Sequence, residues 1–271
     1  MTADLAVDDD AFAAHCRRLL AEGCHGLGVF GTTGEANSLS ADERAAALEA
    51  LVERGVPVDA LLPGTGASAL TDAVRLTREA VALGVDGVLV LPPFYYKDVS
   101  DDGLFAFFAE LIERVGDPRL RLYLYHYPRL AGVGFSEALL ARLLDAYPAV
   151  VAGTKDSSND AARIERICRA LPQLAVFAGT ESLLLDTLRW GGAGCISATC
   201  NVTAPLAREV HDLEQAGRGE EAAAAQERLA ARRAAIEGRP LVPALKAMMA
   251  ERTGDPAWLT LRPPLDRPSY E

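Results

Sequence analysis

The sequence predicts an α/β protein built as a (β/α)8 barrel, and three observations support this prediction. Apolar runs of strand length alternate with amphipathic, alanine-rich stretches, a pattern typical of parallel strands joined by helices. The runs are continuously apolar, so both faces of each strand should be covered. No G-x-G-x-x-G motif follows the first run and the units are of even size, which favours a closed barrel over a doubly wound sheet.

Seven runs are predicted to be strands, each followed by a helix. Between them, stretches such as SADERAAALEALVERG from Ser40 and TDAVRLTREAVALG from Thr71 carry apolar residues at helical spacing. Both stretches end in glycine, which is common just after a helix. The predicted strands are GLGVFGTT from Gly26, DALLPGTG from Asp59, GVLVLPP from Gly87, LRLYLYHYP from Leu120, VVAGTKDS from Val150, LAVFAGT from Leu174 and GCISATCN from Gly194.

The count is one strand short of eight. LAVDDDAFAAHCRRLLAEG, from Leu5, predicts the first barrel helix, and no strand precedes it. We expect either that the sequence starts downstream of the true start of the protein or that its first strand is degenerate. Beyond Asn201 the chain is helical for longer than one closing helix requires. The predicted organisation is a barrel over residues 1–205 and a small helical extension over residues 206–271.

Composition and charge exclude several function classes. The net charge of −11 argues against a surface for nucleic acid or anionic lipid. No stretch approaches ~20 consecutive apolar residues, so no membrane span is expected. The five cysteines include no C-x-x-C pair, which favours reduced thiols. The start of the chain is acidic, the opposite of a secretory signal or transit peptide, which favours the cytoplasm. Four scattered histidines without H-E-x-x-H predict no metal site, and no cofactor is expected.

The reactive groups of such barrels come from the carboxyl ends of the strands. VVAGTKDSSND, residues 150–160, is an apolar run that ends on Lys155, and the preceding strand ends near Tyr125. An amine must be neutral to attack a ketone, and a poorly solvated site favours that form. A nearby phenol can carry protons, and Thr32 and Thr33 of GTTGE can hold a carboxylate. The combination predicts imine chemistry.

Each feature also has a structural explanation. Lys155 can mark where a strand leaves the core, and the tyrosines of LYLYHYP can be aromatic core. GTTGE can be a tight turn with Ser38 or Ser40 capping the next helix, and SSND after Lys155 can be a helix cap. The joint occurrence of amine, phenol and paired hydroxyls favours the chemical interpretation.

In these motifs the sequence resembles the pyruvate-dependent class I aldolases typified by dihydrodipicolinate synthase and N-acetylneuraminate lyase. The motifs are G-T-T-G-E, Y-x-x-P, G-x-K followed by an acidic residue, and G-x-I-S. The likeness runs from about Asp8 through Asn201, and more weakly to R-P-P-L at Arg262. It implies a homotetramer or homodimer, with pyruvate or another 2-keto acid and an aldehyde as small-molecule substrates. Family members begin with a strand that ends in T-P, which this sequence lacks.

The resemblance also implies roles for single residues. Lys155 corresponds to the Schiff-base lysine and Tyr125 to the general acid/base. Thr32 and Thr33 correspond to the hydroxyls that bind the pyruvate carboxylate, one of them also relaying a proton to Tyr125. Tyr95 is similar to the tyrosine that reaches a neighbouring subunit's site, with Tyr96 as a competing register.

Further residues are expected to contact substrate. Gly179 and Ile196 match positions that contact the pyruvoyl end. Ser157, Thr180, Glu181 and Ser197 offer donors and acceptors for the hydroxyls of a sugar acid.

Two departures from the synthases bear on the substrate. Where they place an arginine after Y-x-x-P this chain has Leu130, with Arg129 one position early, and His126 replaces the usual asparagine. His126 should point away from Tyr125 and pack structurally. KDSS is more similar to aldolases of 2-keto-3-deoxy sugar acids and 4-hydroxy-2-oxoglutarate.

The expected function is therefore a lyase that cleaves a 2-keto-3-deoxy or 4-hydroxy-2-keto acid to pyruvate and an aldehyde. One alternative is dihydrodipicolinate synthase, that is, 4-hydroxy-tetrahydrodipicolinate synthase of lysine biosynthesis, followed by a dehydratase that uses the same imine. A different kind of alternative is a non-catalytic member that binds a keto acid.

Overall fold

Parallel strands form the centre of the molecule in a computed structural model, which describes residues 1–236 and 238–266. Five of them make one sheet in the order β1-β2-β3-β4-β5. Neighbours in the sheet are also neighbours in sequence, as expected when a helix follows each strand. The strands are β1 Val88–Val90, β2 Leu122–His126, β3 Val151–Asp156, β4 Ala175–Ala178 and β5 Gly194–Cys195.

The first two predicted strands are present only as single bridges. Leu27 pairs with Leu61, and Gly64 pairs with Leu89 of β1, both in parallel. These bridges place residues 26–29 beside residues 61–64 and residues 61–64 beside β1, so seven parallel segments follow one another as predicted. In the described part of the chain no strand pairs with the outer edge of residues 26–29, which keeps that ladder short. We call the gap between residues 26–29 and residues 194–196 the seam.

Helices cover the outside of the strands. Asp8 caps the first helix by accepting from the Ala11 backbone N–H, and Ser40 with Glu43 forms a capping box at the second. Ser40 is therefore the cap, one of the two residues predicted for it. The helices are α1 Asp9–Ala21, α2 Ala41–Glu53, α3 Leu70–Leu83, α4 Asp101–Val115, α5 Pro128–Ala131, α6 Glu137–Ala146, α7 Ala161–Ala170, α8 Leu184–Arg189, α9 Cys200–Gln215, α10 Gly219–Ala234 and α11 Leu241–Thr253; single 3₁₀ turns span Ala36–Ser38, Val58–Ala60, Glu181–Leu183 and Pro256–Leu259.

The main core lies between the strands and the helices around them. Val88, Leu122, Leu124 and Val176 are fully buried on the strands, and Phe108 is fully buried on α4. A smaller cluster joins α8 to α9 and α10 through Leu184, Leu185, Val210, Ala222, Ala225 and Leu229. This cluster packs α9 and α10 against α8 and the end of the sheet.

The predicted division at residue 205 falls inside α9, which runs unbroken through it. The separation into a barrel and an extension stays a prediction. No helix within residues 1–236 and 238–266 is long and apolar enough to cross a membrane.

Candidate active site

Three side chains from adjacent strands meet at one level of the sheet. Tyr125 of β2 pairs in register with Lys155 of β3, which pairs with Phe177 of β4. Successive side chains of a strand point to opposite faces, so the outward neighbours are His126 and Asp156. The register brings the predicted amine and phenol side by side.

The Lys155 amine lies against an aromatic ring rather than a carboxylate. Its Nζ is 4.2 Å from the centroid of the Tyr125 ring, and the side chain is half-buried. Among the residues that the structure describes, no carboxylate oxygen lies within 4 Å of this nitrogen. The adjacent Asp156 is buried on the other face, where Arg163 Nε binds it at 2.8 Å. The lysine is therefore not held in an ion pair.

The Tyr125 hydroxyl connects the lysine to the GTTGE loop. It lies 3.4 Å from Thr32 Oγ1, and the tyrosine is only 5% exposed. Thr33 follows directly, half-buried at the same end of the strands. The structure thus brings together the amine, the phenol and the predicted hydroxyls.

The GTTGE loop is fixed from the C-terminal part of the chain. Glu35 adopts a left-handed backbone conformation, with φ of 55°, and its Oε1 pairs with Lys246 Nζ of α11 at 2.5 Å. Arg262, in R-P-P-L, donates to the Ser38 carbonyl at 2.7 Å and pairs with Glu43. These contacts stabilise the threonine turn.

Gly179 and Ser157 lie in direct contact. A Cβ on Gly179 would lie 2.1 Å from Ser157 Oγ and 2.7 Å from Ser157 Cα, so only glycine fits there. The Gly179 N–H donates to the Asp156 carbonyl at 2.6 Å. This contact fixes the strand ends beside Lys155.

Ile196 lies across the seam. A Cβ on Gly28 would lie 3.2 Å from Ile196 Cγ2, and the Ile196 N–H donates to the Ala178 carbonyl at 2.9 Å. Ile196, on one edge of the seam, therefore lies close to Gly28 on the other edge and is fixed to β4 by its backbone.

Glu181 lies at the centre of a buried polar network. Its side chain is 0% exposed, and its carboxylate accepts from four donors. Thr203 Oγ1 donates at 3.0 Å and Arg233 Nη1 of α10 at 2.8 Å, and the Ser197 and Thr199 hydroxyls also donate. The carboxylate that the sequence predicts to bind substrate therefore accepts hydrogen bonds from the protein itself.

The tyrosines predicted to meet a neighbouring subunit project into solvent. Tyr95 is 75% exposed and Tyr96 74%, and their rings pack edge to face at 5.3 Å. Lys97 ties their loop to α5 by donating to the Ala131 carbonyl at 2.7 Å. The geometry does not select between the two registers.

The residues that depart from the synthases differ in their burial and contacts. Leu130 is 59% exposed, and Arg129 is exposed, with Nη2 3.3 Å from the Tyr127 hydroxyl. His126 is buried, and its Nδ1 accepts from the Phe135 backbone N–H at 2.9 Å. Burial lowers the pKa of His126, and the nearby Asp156 opposes this. The predicted packing role of His126 is confirmed.

A cavity of about 700 Å³ joins the lysine to the seam. Its lining includes Thr32, Thr33, Lys155 and Phe177 together with residues of both edges of the seam, among them Gly28 and Ile196. This volume lies in the range of small-molecule sites, about 300–1,000 Å³.

Three residues of this region are not named in the sequence analysis. The Tyr127 ring stacks on Tyr125 with centroids 5.9 Å apart, and Arg233 reaches Glu181 from 52 positions away. Phe177 could have been found, because the two-residue period of β4 places it on the face of Lys155.

Comparison with known proteins places the chain in a family. A model of the dihydrodipicolinate synthetase family matches residues 1–270. A protein of Chloroflexus aurantiacus described as an uncharacterized DapA-like lyase is 37% identical over 259 residues, 96% of this chain and 85% of that one.

Solved structures of the same family superpose over nearly the whole chain. Dihydrodipicolinate synthase from Agrobacterium tumefaciens gives a TM-score of 0.83 at 31% identity, covering 100% of this chain and 91% of that one. A prophage protein of the dihydrodipicolinic acid synthase family from E. coli K12, in complex with pyruvate, gives 0.88 at 28% identity, covering 98% and 89%. The predicted barrel fold and enzyme class are confirmed: the chain belongs to the dihydrodipicolinate synthetase family and is a lyase of the class I aldolase type.

Proposed function

We propose that this enzyme cleaves, and in reverse condenses, a 2-keto-3-deoxy sugar acid or a 4-hydroxy-2-keto acid, with pyruvate and an aldehyde as products. The observation that supports this most directly is the Lys155 amine, which lies 4.2 Å from the Tyr125 ring without an ion-pair partner in the described residues. An ammonium held by a carboxylate could not act as a nucleophile, because its lone pair would be protonated.

The proposed reaction uses Lys155 as the nucleophile and Tyr125 as the proton carrier. The Lys155 amine attacks the C2 carbonyl of the keto acid, and loss of water leaves an imine. Removal of the C4 hydroxyl proton breaks the C3–C4 bond and releases the aldehyde, while the electron pair moves into an enamine. Protonation at C3 and hydrolysis of the imine then release pyruvate. Tyr125, 3.4 Å from Thr32, is the proton carrier in this scheme.

The carboxylate of the keto acid is assigned to Thr32 and Thr33. Both hydroxyls line the cavity that contains Lys155, and hydrogen bonds to a charged acceptor are the stronger kind. The prophage protein from E. coli, whose structure contains pyruvate, supports a 2-keto acid as the first substrate. Gly179 and Ile196 are proposed to pack against its methyl end.

The charge of the aldehyde, and the residues available to bind that charge, indicate which aldehyde is the substrate. Aspartate semialdehyde has a carboxylate that needs a cation, and a bidentate arginine is one of the stronger partners a protein offers. Arg129 is exposed and lies on Tyr127, while Leu130 provides no donor. A neutral, hydroxylated aldehyde such as glyceraldehyde fits better, with Ser157 as a hydroxyl partner. The synthase remains the second candidate because a synthase of known structure is 31% identical.

The active unit is proposed to be a homo-oligomer. Two adjacent tyrosines with three quarters of their surfaces exposed are typical of a surface that another subunit covers. Tyr95 would then complete the site of a neighbouring subunit.

Steady-state kinetics would test the substrate assignment. The value of kcat/KM for condensation of pyruvate with aspartate semialdehyde should be lower than that with glyceraldehyde. Lys155→Arg, which keeps the charge but cannot form the imine, should abolish both reactions. The reverse order of aldehydes would favour the synthase, and ligand binding without turnover by the unmodified protein would favour a keto-acid-binding protein.

A further inference from the structure

Two histidines meet at the end of the seam that is remote from the strand ends near Lys155. His25 directly precedes the edge segment 26–29, and His211 lies on α9, which follows β5 on the other edge. Their ring centroids are 4.7 Å apart. Asp212 completes a group in which one ligand atom from each residue lies within 4.8 Å of the others.

The geometry is close to that of a metal site. Zinc–nitrogen bonds of 2.0–2.1 Å in a tetrahedron place neighbouring ligand atoms about 3.3 Å apart. His211 Nδ1 and Asp212 Oδ1 are already 3.2 Å apart. The third atom, on His25, lies within 4.8 Å of these two, and His25 is exposed while His211 is half-buried.

Arg208 orients the carboxylate. Its Nε binds Asp212 Oδ2 at 2.7 Å, which leaves Oδ1 facing the histidine. Such a contact to the second oxygen is a usual feature around metal-binding carboxylates. Its positive charge opposes a cation nearby, and the Asp212 carboxylate with which it pairs offsets that charge.

Imidazole nitrogens are the commonest protein ligands of such metals. Two imidazoles and one carboxylate suit Zn²⁺ and related ions better than Mg²⁺ or Ca²⁺, which prefer oxygen.

We propose that His25, His211 and Asp212 bind one zinc-class divalent cation that joins the two edges of the seam. The site is not catalytic. It connects two segments that are far apart in the sequence, and no strand among the described residues joins them. Because the ligands come together only in the folded protein, bound metal stabilises the folded barrel over the unfolded chain.

Calorimetric titration of the untagged, EDTA-treated full-length protein with ZnCl₂ tests this site. One zinc should bind per chain, and the melting temperature should rise by roughly 5–10 °C at a free zinc concentration about 100 times Kd. MgCl₂ at the same concentration should have no effect. His25→Ala and His211→Ala should each raise Kd at least about tenfold, and Asp212→Asn by a smaller factor.

Two matched controls separate this site from other zinc ligands. His15→Gln removes a histidine that lines the same cavity but contacts Asn201, and Cys24→Ser removes the thiol beside His25. Both should bind zinc as the unmodified protein does, and Co²⁺ should give no thiolate charge-transfer band. No saturable binding, unchanged binding in both alanine variants, or loss only in Cys24→Ser would overturn the proposal.

Discussion

Replacing Glu181 by glutamine should destabilise the protein more than any exposed charge substitution. The amide keeps the shape of the side chain but turns one acceptor oxygen into a donor, which then faces the donors Ser197 and Arg233. Disrupting a buried ion pair costs about 3–5 kcal/mol. At roughly 2–4 °C per kcal/mol for a chain of similar size, even the lower figure lowers the melting temperature by about 6–12 °C.

Thermal unfolding followed by circular dichroism measures this effect. Glu165→Gln is the matched control, because Glu165 forms an exposed pair with Arg169 and should change the melting temperature by less than about 2 °C. KM for the keto acid should change little in Glu181→Gln. A melting temperature within 2 °C of the unmodified protein, together with a raised KM, would refute the buried network and return Glu181 to the role of a substrate ligand.

Three further predictions concern other parts of the molecule. Tyr125→Phe should lower kcat by ~10²–10⁴, the range for a positioned acid/base, and near-normal turnover would identify another proton carrier. Sedimentation at assay concentration should show an oligomer, and Tyr95→Ala should reduce activity more than Tyr96→Ala; a fully active monomer would contradict this. Burial lowers the pKa of His15 from 6.5 to about 4, and Arg18 donates to its Nδ1 at 3.1 Å. The unfolded chain therefore takes up this proton first, so the free energy of unfolding should fall by up to about 3 kcal/mol as pH drops from 6.5 to 4. His15→Gln should flatten that decline, and an unchanged slope would contradict the assignment.

The Lys155–Tyr125 pair could be predicted because it depends on short-range rules. The two-residue period of a strand sends Tyr125 and Lys155 to one face and His126 to the other, and parallel neighbours bring the two together in register. The order of the strands follows from the alternation of apolar runs and helices.

The surroundings of Glu181 could not be predicted in the same way. The GTES motif shows a carboxylate at a strand end, where substrate ligands are common. The burial of this carboxylate depends on Arg233 from α10. No local sequence pattern predicts that this helix packs over the turn at 181–183. Long-range packing thus gives Glu181 internal partners that its motif does not reveal.

The first two strands show a different limit. Their apolar runs predict regular ladders. Within the described residues, however, residues 26–29 pair on one edge only, and the second run begins with a 3₁₀ turn over Val58–Ala60. A ladder needs a partner on the neighbouring strand, which the composition of one run cannot reveal.

Reductive trapping tests the central claim most directly. The chain has only three lysines; Lys97 donates to the Ala131 carbonyl and Lys246 pairs with Glu35. After incubation with pyruvate and borohydride, peptide mass spectrometry should find the reduced adduct on Lys155 and none in Lys155→Arg. An adduct on Lys97 or Lys246, or no adduct in the unmodified protein, would contradict an imine at Lys155.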